Sequence, residues 1–116
     1  FDDPVFTTRY TSLAQDVADL ETIYTRYAEI VKRGETLGPD VSMLKIWGTE
    51  TFAALTELAL EAAGSAGGAR GRIGDAEHGV DTLNLFYNAR PATIYGGSNE
   101  IQRNIIAKGV LDLPDA

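Results

Sequence analysis

Arg90-Pro-Ala-Thr-Ile-Tyr-Gly-Gly-Ser-Asn-Glu-Ile-Gln-Arg-Asn-Ile-Ile-Ala-Lys108 joins a glycine-containing loop directly to an amphipathic helix. Pro91 turns the chain away from helical geometry before the loop, and Ser98 has the side chain of a helix cap, so a last helix is expected from about Ser98 to Leu111. The first N–H groups of a helix have no partner inside it, and its aligned peptide dipoles favour negative charge there. This junction is therefore a natural seat for a polar or anionic ligand.

Upstream the pattern is helical throughout. Tyr10, Leu13, Val17, Leu20, Tyr24, Tyr27 and Val31 alternate steps of three and four, which draws one apolar stripe on one helix. Ile23 and Ile30 widen the stripe, and Gly34 ends it. Gly38-Pro39-Asp40 starts a second helix: proline suits a first turn, Asp40 complements the positive end of the dipole, and the pattern runs from about Pro39 to Ala63. Its inward candidates are Leu44, Gly48, Thr51, Leu55, Leu58 and Ala62, with Phe52 alongside and Trp47 partly buried. Gly48 and Ala59 are expected to let a neighbouring helix approach closely. The short connection at residues 34–38 favours an antiparallel hairpin.

Five glycines in the eleven residues from Gly64 to Gly74 make a loop, and a shorter helix follows from about Val80 to Asn88. There is no internal repeat and no strong alternating run. The fold expected is all-α and four-helix-bundle-like, with one short and three longer helices. An edge strand within residues 91–95 is the weaker rival, since one strand cannot satisfy its own edges.

The chain has 116 residues, 44 % of them apolar and 23 % charged, which suits one folded domain with a single core. Seventeen acidic against ten basic side chains give a formal charge of -7, which disfavours nucleic acid as a partner. Without cysteine there are no disulfides, thiolate nucleophiles or thiolate metal sites, and a single histidine makes no multi-histidine centre, so no metal is expected. A cytoplasmic location is the expectation.

The ordered elements carry a resemblance. A helix, Gly-Pro, a second helix with Ser42-Met-Leu-Lys-Ile-Trp-Gly-Thr-Glu50, a glycine-rich loop, then Arg90 to Arg103 together resemble the carboxy-terminal helical domain of the acyl-CoA dehydrogenases, including bacterial variants used on bulky or unusual thioesters. The likeness covers nearly all of the chain. It implies that residues 1–116 are a single helical bundle domain, a fragment of a longer three-domain protein with an amino-terminal helical domain and a central β domain. It also implies FAD bound between domains and subunits, and removal of two hydrogens from the α and β carbons of an acyl-CoA.

Many relatives carry the catalytic glutamate between the tyrosine and glycine of this motif, where the present chain has Gly96. Glycine has no titratable side chain, so the resemblance implies a base on an earlier helix or on a partner subunit. Glu100 is the remaining nearby carboxylate, although the resemblance places it on the flavin side. Gly97, Ser98 and Glu100 match positions bordering the flavin, and Glu61 joins them; Glu100 and Glu61 stand where many relatives have glutamine. A carboxylate accepts from a ribose hydroxyl but repels a diphosphate. Arg70 and Arg72 lie in the glycine-rich loop, which in relatives approaches the flavin of a neighbouring subunit. Tyr95 and Gly96 line the substrate pocket, which Gly96 enlarges. Arg103 is expected to pin a carboxylate between helices or domains, and His78 to pair with Asp75 or Glu77 rather than to enter a triad.

The partners implied are the acyl-CoA substrate, homologous subunits in a homotetramer or a two-subunit heterotetramer, and an electron-transfer partner. The alternative is a non-catalytic subunit or domain that stabilises an active homologue.

Overall fold

The computed structural model describes residues 2–114 and forms a bundle of four α-helices: α1 (Pro4–Lys32), α2 (Ser42–Ala63), α3 (Thr82–Ala89) and α4 (Asn99–Gly109). The apolar stripe alone does not mark where α1 begins. The Asp-Pro pair does, because Pro4 loses no hydrogen bond in a first turn and Asp3 Oδ1 accepts from the Val5 N–H at 2.8 Å. At the other end Gly34 takes φ 77°, and the Gly34 and Glu35 N–H groups turn back to the carbonyls of Val31 and Ile30.

The second helix enters through a 3-10 turn at Pro39–Val41 and becomes α-helical at Ser42. Three cross-links fix an antiparallel α1–α2 hairpin. Tyr27 Oη donates to Asp40 Oδ2 at 2.6 Å, Trp47 Nε1 donates to Asp16 Oδ1 at 3.3 Å, and Arg9 pairs with Glu61 at 2.5 Å. Burial, reinforced by the Asp40 carboxylate, pushes the Tyr27 hydroxyl above its ordinary pKa.

α2 is the central element, touching α1, α3 and α4, so its apolar positions spread around the helix instead of lining one face. Of its expected inward residues, Thr51 and Leu58 are buried and Leu44, Gly48 and Leu55 are half-buried, whereas Ala62 and Phe52 are exposed. Leu55 and Ala62 border an open apolar groove of about 560 Å³, shared with Phe6 and Tyr10 of α1. The α1 stripe divides in the same way. Leu13, Leu20 and Tyr27 are covered to differing degrees, while Tyr10, Val17, Tyr24 and Val31, seven residues apart, remain 44–66 % exposed. One neighbouring helix covers only one side of a broad stripe.

The close approach expected at Gly48 is found elsewhere. A Cβ on Gly48 would meet nothing within 4 Å, but one on Gly109 would come within 2.7 Å of Pro39 Cγ, so the end of α4 sits tightly on the turn before α2. Opposite effects follow. Overpacking at Gly109→Ala should cost about 1–3 kcal/mol, whereas Gly48→Ala should gain about 0.5–1 kcal/mol from helix propensity. Shifts of the urea midpoint in the same direction for both variants would refute this packing.

Between α2 and α3 the loop is closed by a single antiparallel bridge, Ile73 to Val80. Asp75 Oδ1 accepts from the backbone N–H groups of Glu77 and His78 at 2.9 and 2.6 Å and lies 3.1 Å from His78 Nδ1. Contacts with His78, then with the Glu77 N–H, hold the Asp75 carboxyl below its usual range. His78 thus closes a loop with Asp75. The edge strand considered for residues 91–95 does not form: Arg90–Thr93 tighten into a 3-10 turn, whose early position suits Pro91. The last helix starts one residue after Ser98 and stops at Gly109, two residues short of Leu111. Among the described residues no helix is long and apolar enough to cross a membrane.

Candidate functional site

The loop from Arg90 to Ser98 is fastened to α2 at both ends. At the near end the Arg90 guanidinium lies 4.3 Å from the centroid of the Phe86 ring. Its Nη1 donates to Glu57 Oε1 at 2.8 Å and its Nη2 to the Ala53 carbonyl at 3.3 Å. At the far end stands Asn99, only 2 % exposed. Asn99 Oδ1 accepts from Lys45 Nζ at 2.9 Å, and its Nδ2 donates to Thr49 Oγ1 at 3.1 Å and to Glu50 Oε1 at 3.4 Å. The same Glu50 carboxylate pairs with Arg103. The amide orientation follows from its partners, since an ammonium needs an acceptor and a carboxylate needs a donor.

Two separate stretches of sequence, Ser42–Glu50 and Arg90–Arg103, are therefore one structural unit. Arg103 does pin a carboxylate between helices, on α2. Neither Asn99 nor Lys45 stands out in the sequence as a linking residue. Their partnership spans 54 positions, and no local pattern announces it.

Between the two clips, Ile94 and Tyr95 are 69 % and 63 % exposed. Gly96 and Gly97 both take left-handed backbone, at φ 66° and 85°. A Cβ on Gly96 would meet nothing within 4 Å, but one on Gly97 would lie 2.7 Å from Gln102 Nε2. The Gln102 side chain folds back to within 3.5 Å of the Gly96 carbonyl oxygen. Both positions are thus restricted by backbone, and a Cβ at position 97 would in addition displace the flexible end of Gln102.

Ser98 caps α4, its Oγ accepting from the Ile101 N–H at 3.4 Å. Glu100 lies in the first turn of the same helix. Its own backbone N–H and the Ser98 hydroxyl bond to its carboxylate, and together with the charges of Arg103 and Lys45 they hold its carboxyl below the usual range. The helix terminus that the sequence offers to an anion is already complemented by this resident carboxylate. Two consequences follow for chemistry. Glu100 is a weaker proton acceptor than an ordinary glutamate. The site also suits a hydroxyl-bearing group better than a diphosphate, which would meet like charge.

The other flavin candidates lie elsewhere. Glu61 is paired with Arg9, eleven residues along α2 from Glu50 and so about 16 Å away along the helix axis. Arg70 and Arg72 are exposed on the loop between α2 and α3. Arg70 lines an open recess of about 310 Å³ with Asp81, Asn84 and Tyr87. The turn thus gathers Tyr95, Gly96, Gly97, Ser98 and Glu100, and leaves Glu61, Arg70 and Arg72 on other elements.

A family model described as acyl-CoA dehydrogenase, C-terminal domain, matches residues 1–111. The chain belongs to the acyl-CoA dehydrogenase family. Two curated acyl-CoA dehydrogenases, both named IpdE1 and found in Mycolicibacterium smegmatis and Mycobacterium tuberculosis, are 70 % identical to it over 30 residues. That stretch is 26 % of this chain and 8 % of each relative. The acyl-CoA dehydrogenase domain described here also superposes on a solved structure named Tcur3481-Tcur3483 steroid ACAD, with a TM-score of 0.85 at 22 % identity over 98 % of this chain. For the ChsE4-ChsE5 complex from Mycobacterium tuberculosis the TM-score is 0.82, at 25 % identity over 99 % of the chain. The chain spans 30 % of the length of each solved relative. The bundle is the carboxy-terminal fold of the acyl-CoA dehydrogenases.

Proposed function

We propose that the chain is one domain of a longer, three-domain, FAD-dependent acyl-CoA dehydrogenase that introduces a C2–C3 double bond into an acyl-CoA thioester. The match of residues 1–111 to the carboxy-terminal domain of that family carries this reading. In it, bound FAD supplies the acceptor for the hydride leaving the β carbon. Gly97 and Ser98 border the cofactor, and the ionised Glu100 accepts from a sugar hydroxyl, a pairing its lowered pKa supports. Phosphate contacts fall to cations away from this turn, for which Arg70 and Arg72 are the candidates in this chain.

Tyr95 and Gly96 border the substrate. Gly96 supplies no base, so a carboxylate outside this segment takes the α proton. The lack of a side chain at Gly96 is compatible with a bulky acyl group. The exposed α1 residues Tyr10, Val17, Tyr24 and Val31 support packing against homologous subunits or further domains. A solved relative named as the ChsE4-ChsE5 complex, a pair of chains, favours a two-subunit assembly over a homotetramer. Turnover with bound FAD would also call for an electron-transfer partner. The missing base at Gly96 also favours a second reading, in which this chain belongs to a non-catalytic subunit that stabilises an active homologue.

Purified full-length protein, alone and with its homologous partner, is expected to retain yellow FAD that an acyl-CoA bleaches, whereas the 116-residue chain retains none. Ser98→Ala should weaken FAD binding in the assembly; an unchanged dissociation constant would leave Ser98 as a helix cap only. Absence of flavin and of bleaching in both preparations would overturn the dehydrogenase reading.

A further inference from the structure

We propose that Asn99, held by Lys45 and Thr49, is a positioning residue that sets where the Gly97–Ser98 turn meets its ligand; for FAD as that ligand, this rests on the function proposed above. Ile94 and Tyr95 are largely exposed and Gly96 has open space around its Cα, so the middle of the loop gains little positional restraint from the bundle. Its placement is decided on either side, before it by buried Ala92 and by Arg90, after it by Asn99 and Arg103. The ion pairs of Arg90 with Glu57 and of Arg103 with Glu50 are about half exposed, where such pairs restrain weakly. Asn99 differs from both. It is buried, directly follows Ser98, and meets a cation through its oxygen and a carboxylate through its nitrogen. Hydrogen bonds to charged partners are the stronger kind.

Thr49 completes the clip. Its hydroxyl donates to the Lys45 carbonyl at 2.8 Å, which leaves a lone pair facing the Asn99 amide. Only a side chain with both an acceptor and a donor satisfies this arrangement. Aspartate would keep the bond to Lys45 but turn a second carboxylate toward Glu50, and alanine would leave Lys45 and Glu50 without this partner.

The test uses the full-length, FAD-loaded protein with its partner subunit. Asn99→Ala is expected to raise the FAD dissociation constant about tenfold and to shift the visible circular dichroism of the flavin that remains bound. Lys45→Met should move both readouts in the same direction by a smaller factor, and Lys45→Arg should restore them. Leu58→Val lowers stability without touching the clip, and should leave affinity and spectrum within about twofold of wild type. Should Asn99→Ala fail to fold, the Lys45 pair decides alone. Lowered melting temperature with unchanged flavin affinity and spectrum in Asn99→Ala and Lys45→Met would make Asn99 a structural residue and overturn the proposal. If the wild-type assembly binds no FAD, the functional reading fails first, visibly, before any substitution is made, and the flavin role of Asn99 falls with it.

Discussion

Leu58→Ala should lower the unfolding free energy of the 116-residue chain by about 2–5 kcal/mol, the range for a buried leucine that leaves a cavity. Leu58 is 3 % exposed, and among the described residues it is the one buried aliphatic side chain larger than alanine. The other buried apolar residues are Tyr27, Ala89 and Ala92, so little else fills the centre. Leu20→Ala and Leu55→Ala should cost less, because both side chains are only half-buried. Urea unfolding followed by Trp47 fluorescence gives the comparison. A loss at Leu58 below about 0.5 kcal/mol, typical of ordinary surface changes, would reject this core.

If the protein is the acyl-CoA dehydrogenase proposed above, removing the carboxylate assigned there to the α proton, outside this segment, should slow acyl-CoA oxidation by about 10²–10⁴-fold, the usual contribution of a general base. Glu100→Gln should leave turnover largely intact. Its own backbone N–H and the Ser98 hydroxyl lower the pKa of the Glu100 carboxyl, which makes it a poor base for abstracting a proton. Its role in capping has a definite pH sign. With the folded-state pKa below the unfolded one, the stabilisation is present at neutral pH and disappears as pH falls through the lowered value. Glu100→Gln should flatten that acid limb. A Cβ at position 96 would meet nothing within 4 Å, yet left-handed backbone costs a non-glycine residue about 1–2 kcal/mol, so a carboxylate installed there by Gly96→Glu starts from a strained turn. Loss of turnover in Glu100→Gln with FAD content and assembly intact would make Glu100 the base and end the external-base reading.

What could be read from the residues alone was what acts within a turn or two of the chain. Pro39 and Asp40 announced a helix start, Ser98 a cap, Gly34 a stop, and the spacing from Tyr10 to Val31 a helix with an apolar face. The motifs from Ser42 to Glu50 and from Arg90 to Arg103 carried the family resemblance, and Gly96 stands where that resemblance places the usual base. Tertiary structure decided the rest. Periodicity could not say that half of the α1 stripe stays exposed, because burial depends on how many neighbours arrive. It could not move the tight glycine contact from Gly48 to Gly109, since the proline ring that makes it lies seventy residues away in sequence. Nor could it join Asn99 to Lys45, Thr49 and Glu50. Local backbone preferences are fixed by near neighbours in the chain, whereas burial, hydrogen-bond partners and charge at a site are fixed by groups that only folding brings together.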